Sequence, residues 1–317
     1  MRAPQTLCPY TNEPLASIDR INEEHVLPVA VGAPTKFFVM ASELENSRLN
    51  DLIDAPFSND PLIRFLAMSQ GVVSRSGPVI SQLPATLIAS GEAVKLAFSQ
   101  DRIDLKFANP VITDPDTKRV TAVKGFGDAA NEHAQRIKKD YAKKKISVEI
   151  GKTISTPNPE VHSSLSCDTD LVGRELLKIA YLMTVWRFGD RAINSESGAI
   201  YRRGLAAKST DDFRSVGMRG NTNEVPGFSC KRESGTHVLL SAVIGKDLIT
   251  SITLFGAFAA VFATPAHGIS VEEGEGLSVK INLSTGALTQ ATAMEAILDN
   301  IQHQFGFDPS LPNAHIT

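Results

Sequence analysis

The spacing of apolar and polar residues along the chain predicts a mixture of helices and strands. Apolar residues recur at helical spacing between positions 170 and 189, so we expect a helix there with its apolar stripe facing the core. Residues 102–107 alternate strictly between polar and apolar, which is typical of a half-buried strand. The same analysis predicts helices over 61–70, 128–145 and 291–304, and a long hairpin over 238–263.

The N-terminal pattern predicts two strands followed by a helix. The first strand ends near His25, the second covers residues 35–40, and the helix begins after Ser42 and ends near Ile53. Ser42 and Glu45 have the spacing of a capping box at the start of that helix. We therefore expect an α+β fold, in which an N-terminal ββα element precedes larger mixed α/β regions of antiparallel hairpins and helices.

Length and composition indicate a globular protein of more than one domain. The 317 residues suffice for two or three domains, and an apolar content of 42% with 21% charged residues is ordinary for a folded chain. Residues 153–166 are rich in Pro, Ser, Thr and His and lack periodicity, which indicates a linker. We expect domains at 1–57, 58–152 and 167–317.

Charge and cysteine usage narrow the expected partners and compartment. The net charge of −3 gives the whole chain no attraction for nucleic acid, so any binding face has to be a local patch. Three widely spaced cysteines indicate no disulfide framework, and residues 1–10 lack the apolar core of a signal peptide, so we expect a cytoplasmic protein. The most apolar stretch, 254–263, is about half as long as a membrane helix requires.

The predicted helix over 128–145 has a basic end. Its lysines and arginine would neutralise phosphates, or they would form a solvated helix end that the helix dipole favours. The pattern leaves both interpretations open. The residues concerned are Arg136, Lys138, Lys139, Lys143, Lys144 and Lys145, against Asp140.

The dipeptide Glu24-His25 is the main candidate for chemistry. It stands at the end of a predicted strand, where the chain begins to turn and both side chains can reach one site. A carboxylate can hold a divalent cation through oxygen, and a neutral imidazole can take a proton from water near pH 7. A cation and a base are together a minimal set for hydrolysing a phosphodiester.

The flanking residues resemble the HNH, or ββα-metal, endonucleases, in the branch that begins Cys-x-x-Cys and continues Glu-His-Ile-x-Pro. The resemblance covers about residues 8–57, and the matching residues are Glu24, His25, Pro28, Gly32 and Asn46. It implies a metal-dependent endonuclease that acts on DNA rather than RNA, in bacterial restriction or phage defence. In that scheme His25 is the general base, and Glu24 and Asn46 hold one Mg²⁺ or Mn²⁺. Lys36 and Arg48 are the candidates for phosphate contacts.

The sequence departs from this branch at its structural zinc site. Of the four thiolates that such a site requires, only Cys8 is present, and the other three positions are Thr11, Ser42 and Glu45. We therefore expect no structural zinc.

Two alternatives to a working nuclease remain open at this point. One is a non-catalytic subunit that binds nucleic acid or forms a complex and retains an HNH-like shell, and the other is a chance match. Asn22 and Asn50 also compete with Asn46 for its role. Expected partners are nucleic acid and, beyond it, a protein partner or a second copy of the chain, but no membrane.

Overall fold

The computed structural model describes residues 3–74, 77–79, 81–99, 103–117, 119–147, 159–215, 217–218, 228, 233–269 and 275–305. It confirms the α+β class, because helices occur together with antiparallel sheets. The chain divides into two compact units: unit 1 is Met1–Val79 with Cys167–Thr317, and unit 2 is Ile80–Ser166. No helix among the described residues is both long and apolar enough to cross a bilayer.

The two units differ from the three domains expected from the sequence. Residues 1–57 and 167–317 belong to one unit, because apolar side chains of both segments pack into a single core. Val26, Phe37 and Ile53 from the first segment lie in the same cluster as Leu177 and Tyr181 from the second. Periodicity identifies apolar faces but not which faces meet, so the sequence did not predict this joint core.

The N-terminal part of unit 1 contains two antiparallel strands and a helix, close to the expected ranges. Strand β1 (Ile21–His25) pairs with β2 (Phe38–Ser42), and helix α1 (Glu43–Leu49) follows directly. The helix continues through a π-helical segment (Asn50–Asp54) into α2 (Ala55–Asn59). Helix α3 (Pro61–Ser69) and the short strands β3 (Val73–Ser74) and β4 (Gly77–Pro78) complete this part.

The described residues of unit 2 form a small sheet, a hairpin and a helix. The elements are β5 (Ser81–Leu87), β6 (Ala93–Phe98), β7 (Ile103–Phe107), β8 (Val111–Thr113), β9 (Val120–Val123), α4 (Ala129–Lys143) and β10 (Val161–His162). The sheet has the order β10-β5-β6-β7, and β8 and β9 form the separate hairpin before α4. The linker predicted over 153–166 is partly wrong, because it contains strand β10, which pairs with β5. Residues 151–158 lie outside the described residues.

The C-terminal part of unit 1 is organised around helix α5 (Thr169–Phe188). The Asp168 carboxylate caps this helix by accepting a hydrogen bond from the Leu171 N–H. The helix is buried around most of its circumference by α6 (Asp190–Ile193), α7 (Glu196–Ala206), β2 and the large sheet. A helix with so little exposed surface places even its charged side chains in the core.

The large sheet of unit 1 has five antiparallel strands and is followed by a helix. The elements are β11 (Thr236–Ile244), β12 (Asp247–Leu254), β13 (Phe258–Pro265), β14 (Gly276–Asn282), β15 (Leu288–Thr292) and α8 (Ala293–Phe305). The strand order is β13-β12-β11-β14-β15, and helices α5, α7 and α8 pack against these strands. The predicted hairpin over 238–263 is in fact three strands, because the chain turns at Phe255 and Gly256, both with positive φ, inside a continuous apolar run.

Candidate functional site

The Glu24 side chain lies in the core of unit 1 rather than at its surface. The residue is only 3% exposed. Its Oε1 atom accepts a hydrogen bond of 2.7 Å from the Tyr10 hydroxyl and lies 2.5 Å from Nζ of Lys178 on α5. The predicted metal ligand therefore already has a cation and a donor as partners.

Lys178 bridges Glu24 to a second carboxylate. Its Nζ atom lies 2.7 Å and 2.5 Å from the two carboxylate oxygens of Asp54. Asp54 is the last residue of the π-helical segment, a type of turn that is rare and occurs often at functional sites. The helix that follows β2 and the central helix α5 are thus joined by a buried ion pair.

Glu175, one turn before Lys178 on α5, brings a third carboxyl group to this region. It is fully buried, and burial followed by the nearby Asp54 carboxylate raises its pKa well above the ordinary value. We refer to Tyr10, Glu24, Asp54, Glu175 and Lys178 as the buried charge cluster.

The electrostatics of this cluster favour a charged lysine. Burial alone would lower the pKa of Lys178, but Glu24, Asp54 and Glu175 raise it above its ordinary value. Burial raises the pKa of the Glu24 carboxyl, while Lys178 and the Tyr10 hydroxyl act in the opposite direction. The 2.5 Å contact between Glu24 and Lys178 is that of an ion pair, and we assign both groups as charged at neutral pH.

His25 is the last residue of β1 and lies opposite Phe38 on β2. It is half-buried, and its ring meets the Phe38 ring edge to face at 6.2 Å between centroids. Because successive side chains of a strand point to opposite faces, Glu24 and His25 are directed apart. The expectation that both reach one site at the strand end does not describe this arrangement.

The Asn46 side chain on α1 is hydrogen-bonded to β1. Its Nδ2 atom donates to Oδ1 of Asn22 at 2.9 Å and to the backbone oxygen of Glu23 at 3.4 Å. The structure therefore brings together Asn46 and one of its two rivals, Asn22. The other rival, Asn50, is exposed, and its amide donates to the neighbouring Asp51 at 3.3 Å.

The two predicted phosphate contacts are both at the surface. Lys36 is exposed in the turn that precedes β2. Arg48 is exposed on α1 and lies 2.8 Å from the Glu45 carboxylate one turn earlier. An exposed ion pair of this kind is weak, so Arg48 can exchange Glu45 for another anion.

The four positions that hold zinc in the resembling branch are used differently here. The Cys8 sulfur accepts a hydrogen bond of 3.4 Å from the Ser42 N–H, so two of the positions lie side by side. The capping box predicted for Ser42 and Glu45 is wrong: Ser42 is the N-cap residue, but its side chain makes no capping bond, and Glu45 pairs with Arg48. The absence of a structural zinc remains a prediction.

The loop that follows β1 is held by a buried histidine that sequence analysis did not single out. His237 on β11 contacts the Val31 carbonyl oxygen through Nε2 at 2.9 Å, while its Nδ1 accepts the Phe255 N–H at 3.0 Å. Accepting at Nδ1 makes Nε2 the protonated nitrogen. Burial lowers the pKa of His237 to about 4, so the ring is neutral at pH 7.

As placed here, Glu24 does not fit the role of a metal ligand, because its Oε1 is engaged by Lys178 and Tyr10 inside the core. Within the described residues, no group of three or more His, Cys, Asp and Glu side chains could hold a metal ion. A Mg²⁺ or Mn²⁺ ion between Glu24 and Asn46 remains a prediction, and it requires Lys178 to leave Glu24.

No family model, curated protein or solved structure matches the chain. Membership of the HNH family therefore remains a prediction from residues 8–57. Sequence analysis missed Lys178, Asp54, Glu175 and Tyr10 as members of one cluster. A signal was present, since Glu175 and Lys178 are charged residues among the apolar residues of a predicted core helix.

Proposed function

We propose that this chain is a nucleic-acid-binding protein built on an HNH-like ββα unit, and that it does not cleave phosphodiesters through Glu24. The observation that carries this proposal is the ammonium of Lys178 between the carboxylates of Glu24 and Asp54. Lys178 supplies there the positive charge that a divalent cation would supply in a nuclease. The proposal adopts the non-catalytic alternative raised by the sequence.

The physical argument concerns access and coordination. Metal-assisted hydrolysis needs a cation with open positions that face the phosphate and the attacking water. Glu24 is 3% exposed and Lys178 is 2% exposed, so phosphate reaches this carboxylate only if the surrounding core opens. An ammonium also has no coordination position at which water could be activated.

A second candidate, an HNH-type endonuclease acting on DNA, is favoured by a different observation. His25 is half-buried at the end of β1, and Asn46 is bound to the same strand. In this scheme the His25 imidazole takes a proton from water. The water oxygen forms a bond to phosphorus, the bond from phosphorus to the leaving oxygen breaks, and the leaving oxygen takes a proton from solvent.

A cleavage assay paired with a binding assay separates the two candidates. The wild type and His25→Ala would be incubated with plasmid DNA in Mg²⁺, Mn²⁺ or EDTA at matched ionic strength, and the affinity for a labelled duplex measured in parallel. We expect both proteins to bind equally and neither to cleave. Cleavage by the wild type that is lost in His25→Ala would overturn the proposal in favour of the endonuclease, whereas no binding and no cleavage would reject both.

A further inference from the structure

We propose that helix α4 of unit 2 is the surface on which the phosphate backbone of a nucleic acid docks, without regard to sequence. The inference rests on the proposed function, because both take nucleic acid as the partner. It adds where the nucleic acid binds and which kind of side chain contacts it. It concerns unit 2 by itself.

The two units carry opposite net charge. Residues 80–166 contain 13 Lys and Arg against 10 Asp and Glu, which gives +3, whereas the whole chain carries −3, so the remainder carries −6. The net charge of the whole chain is therefore unfavourable for binding nucleic acid, although unit 2 by itself is basic. Electrostatic attraction to phosphates acts through such local patches, because screening limits its range to about 10 Å.

The basic residues near the C-terminal end of α4 are open to solvent. All six, at positions 136, 138, 139, 143, 144 and 145, are exposed. Among the ion pairs of the described residues, only Lys143 in this group pairs with a carboxylate, that of Asp140 at 2.9 Å, where both side chains are more than half exposed. The positive charge is therefore available to a partner.

The geometry of α4 separates a basic face from an apolar one. Arg136, Lys139 and Lys143 follow at i, i+3 and i+7 and share one side of the helix. Ile137 and Tyr141 are half-buried on the other side, and the helix packs against β9. From Arg136 to Lys143 the helix rises about 10 Å, which equals the rise of about three nucleotides along the axis of a duplex.

The same geometry disfavours an anionic membrane as the partner. A helix that binds a bilayer surface inserts an exposed apolar face between the lipid headgroups. The apolar residues Ile137 and Tyr141 of α4 are instead half-buried and the helix contacts β9, so its exposed side is mainly the charged one. A charged side without an apolar one fits a phosphate backbone better than a lipid surface.

The test compares two variants of the full chain that lose the same charge. One is Arg136→Gln with Lys139→Gln on α4; the control is Lys95→Gln with Lys106→Gln, two exposed lysines that lie opposite each other on β6 and β7. Each protein would be titrated into a labelled 20-base-pair duplex of random sequence between 50 and 200 mM salt. Unfolding midpoints would establish that both variants remain folded.

We expect the α4 variant to bind about ten-fold or more weakly at 100 mM salt, with a salt slope smaller by about two, since each lost phosphate contact contributes about 0.9. The control should stay within about two-fold of the wild type. Equal losses of affinity in both variants, or no loss in either, would overturn the proposed docking surface on α4. Binding of the duplex by the wild type would in that case still support the proposed function. Binding to phosphatidylserine vesicles in place of the duplex would overturn it as well. Plasmid cleavage would count against the proposed function alone.

Discussion

The buried charge cluster of unit 1 and helix α4 of unit 2 contain the same types of residue but differ in exposure. Each includes a Lys–Asp pair with short contacts: Lys178 lies 2.5 Å and 2.7 Å from the two Asp54 oxygens, and Lys143 lies 2.9 Å from Asp140. The side chains are 2% and 14% exposed in the first pair, and 77% and 56% exposed in the second. The pairs therefore differ in the solvent around them rather than in distance.

This difference changes what each pair contributes. A surface ion pair is screened by water and contributes about 0–1 kcal/mol, so its members remain available to other ions. A buried pair has lost its hydration, and removal of one partner leaves a charge that nothing compensates. Removal of one partner of the buried pair in unit 1 is therefore costly, whereas the exposed pair on α4 can exchange its partners.

The sharpest test of this comparison replaces the lysine of each pair by methionine. Lys178→Met should lower the free energy of unfolding by about 3–5 kcal/mol, because Asp54 and Glu24 would be left buried with their cation gone. Lys143→Met should lower it by less than about 0.5 kcal/mol. Denaturant titration of both proteins measures the difference, and similar losses would mean that burial does not separate the two pairs.

The partner residues provide the control for this experiment. If the loss in Lys178→Met comes from uncompensated charge, then adding Glu24→Gln and Asp54→Asn should restore part of the stability, in spite of three changes in one cluster. A triple variant less stable than Lys178→Met would instead assign the loss to packing.

His237 extends the comparison to a buried group that has no carboxylate partner. Its pKa in the folded chain is about 4, below the ordinary 6.5, because burial disfavours the charged ring. Between pH 4 and pH 6.5 the unfolded chain binds a proton at His237 that the folded chain does not. The contribution of the neutral ring to the free energy of unfolding is therefore complete above pH 6.5 and is lost as the pH falls toward 4. The loss is at most about 3 kcal/mol.

The free energy of unfolding measured from pH 7 to pH 4 checks this contribution. In His237→Gln the free energy of unfolding should fall less steeply from pH 7 to pH 4 than in the wild type. His267→Gln, a matched substitution at an exposed histidine, is the control. Parallel curves for the wild type and His237→Gln would contradict the buried neutral ring.

A third experiment asks whether Lys178 takes the place of a cation. Lys178→Ala leaves the Glu24 and Asp54 carboxylates facing a space with no positive charge. We expect Mn²⁺ to stabilise this variant by about 1.4 kcal/mol at ten times its dissociation constant, and to have little effect on the wild type. Melting temperatures with and without Mn²⁺ measure the shift, and Lys178→Ala with Asp54→Asn is the control. An equal shift in the wild type would mean that the cation binds elsewhere.

Much of the secondary structure followed from the sequence, because it depends on local periodicity. The apolar stripe of Val172, Leu176, Ile179, Met183 and Trp186 predicted helix α5 nearly to its ends. The expectation failed within 248–263, where Gly256 alone marks the turn that separates β12 from β13 and its neighbours are apolar.

The candidate site was predictable only in part, because it depends on which segments meet. Glu24 on β1 and Asn46 on α1 lie on neighbouring elements, and the Asn46 side chain donates to β1. The partners of Glu24 come from residue 10 and from residue 178, and no local pattern relates these positions. The available indication of a buried ion pair was the presence of Glu175 and Lys178 among the apolar residues of a predicted core helix.

The smallest predicted effect concerns the N-cap residues of α1 and α8. It shows that burial of a polar side chain does not by itself imply that the side chain is hydrogen-bonded. Ser42 is buried at the N-cap of α1, yet its side chain makes no capping bond. At the start of α8, by contrast, the exposed Thr292 accepts the Glu295 N–H, and the Glu295 carboxylate accepts the Thr292 N–H, which is a complete capping box. Thr292→Ala should therefore cost about 0.5–2 kcal/mol, and Ser42→Ala less than about 0.5 kcal/mol. Unfolding midpoints of the two variants rank them, and the reverse order would show that the Ser42 hydroxyl caps α1 in solution.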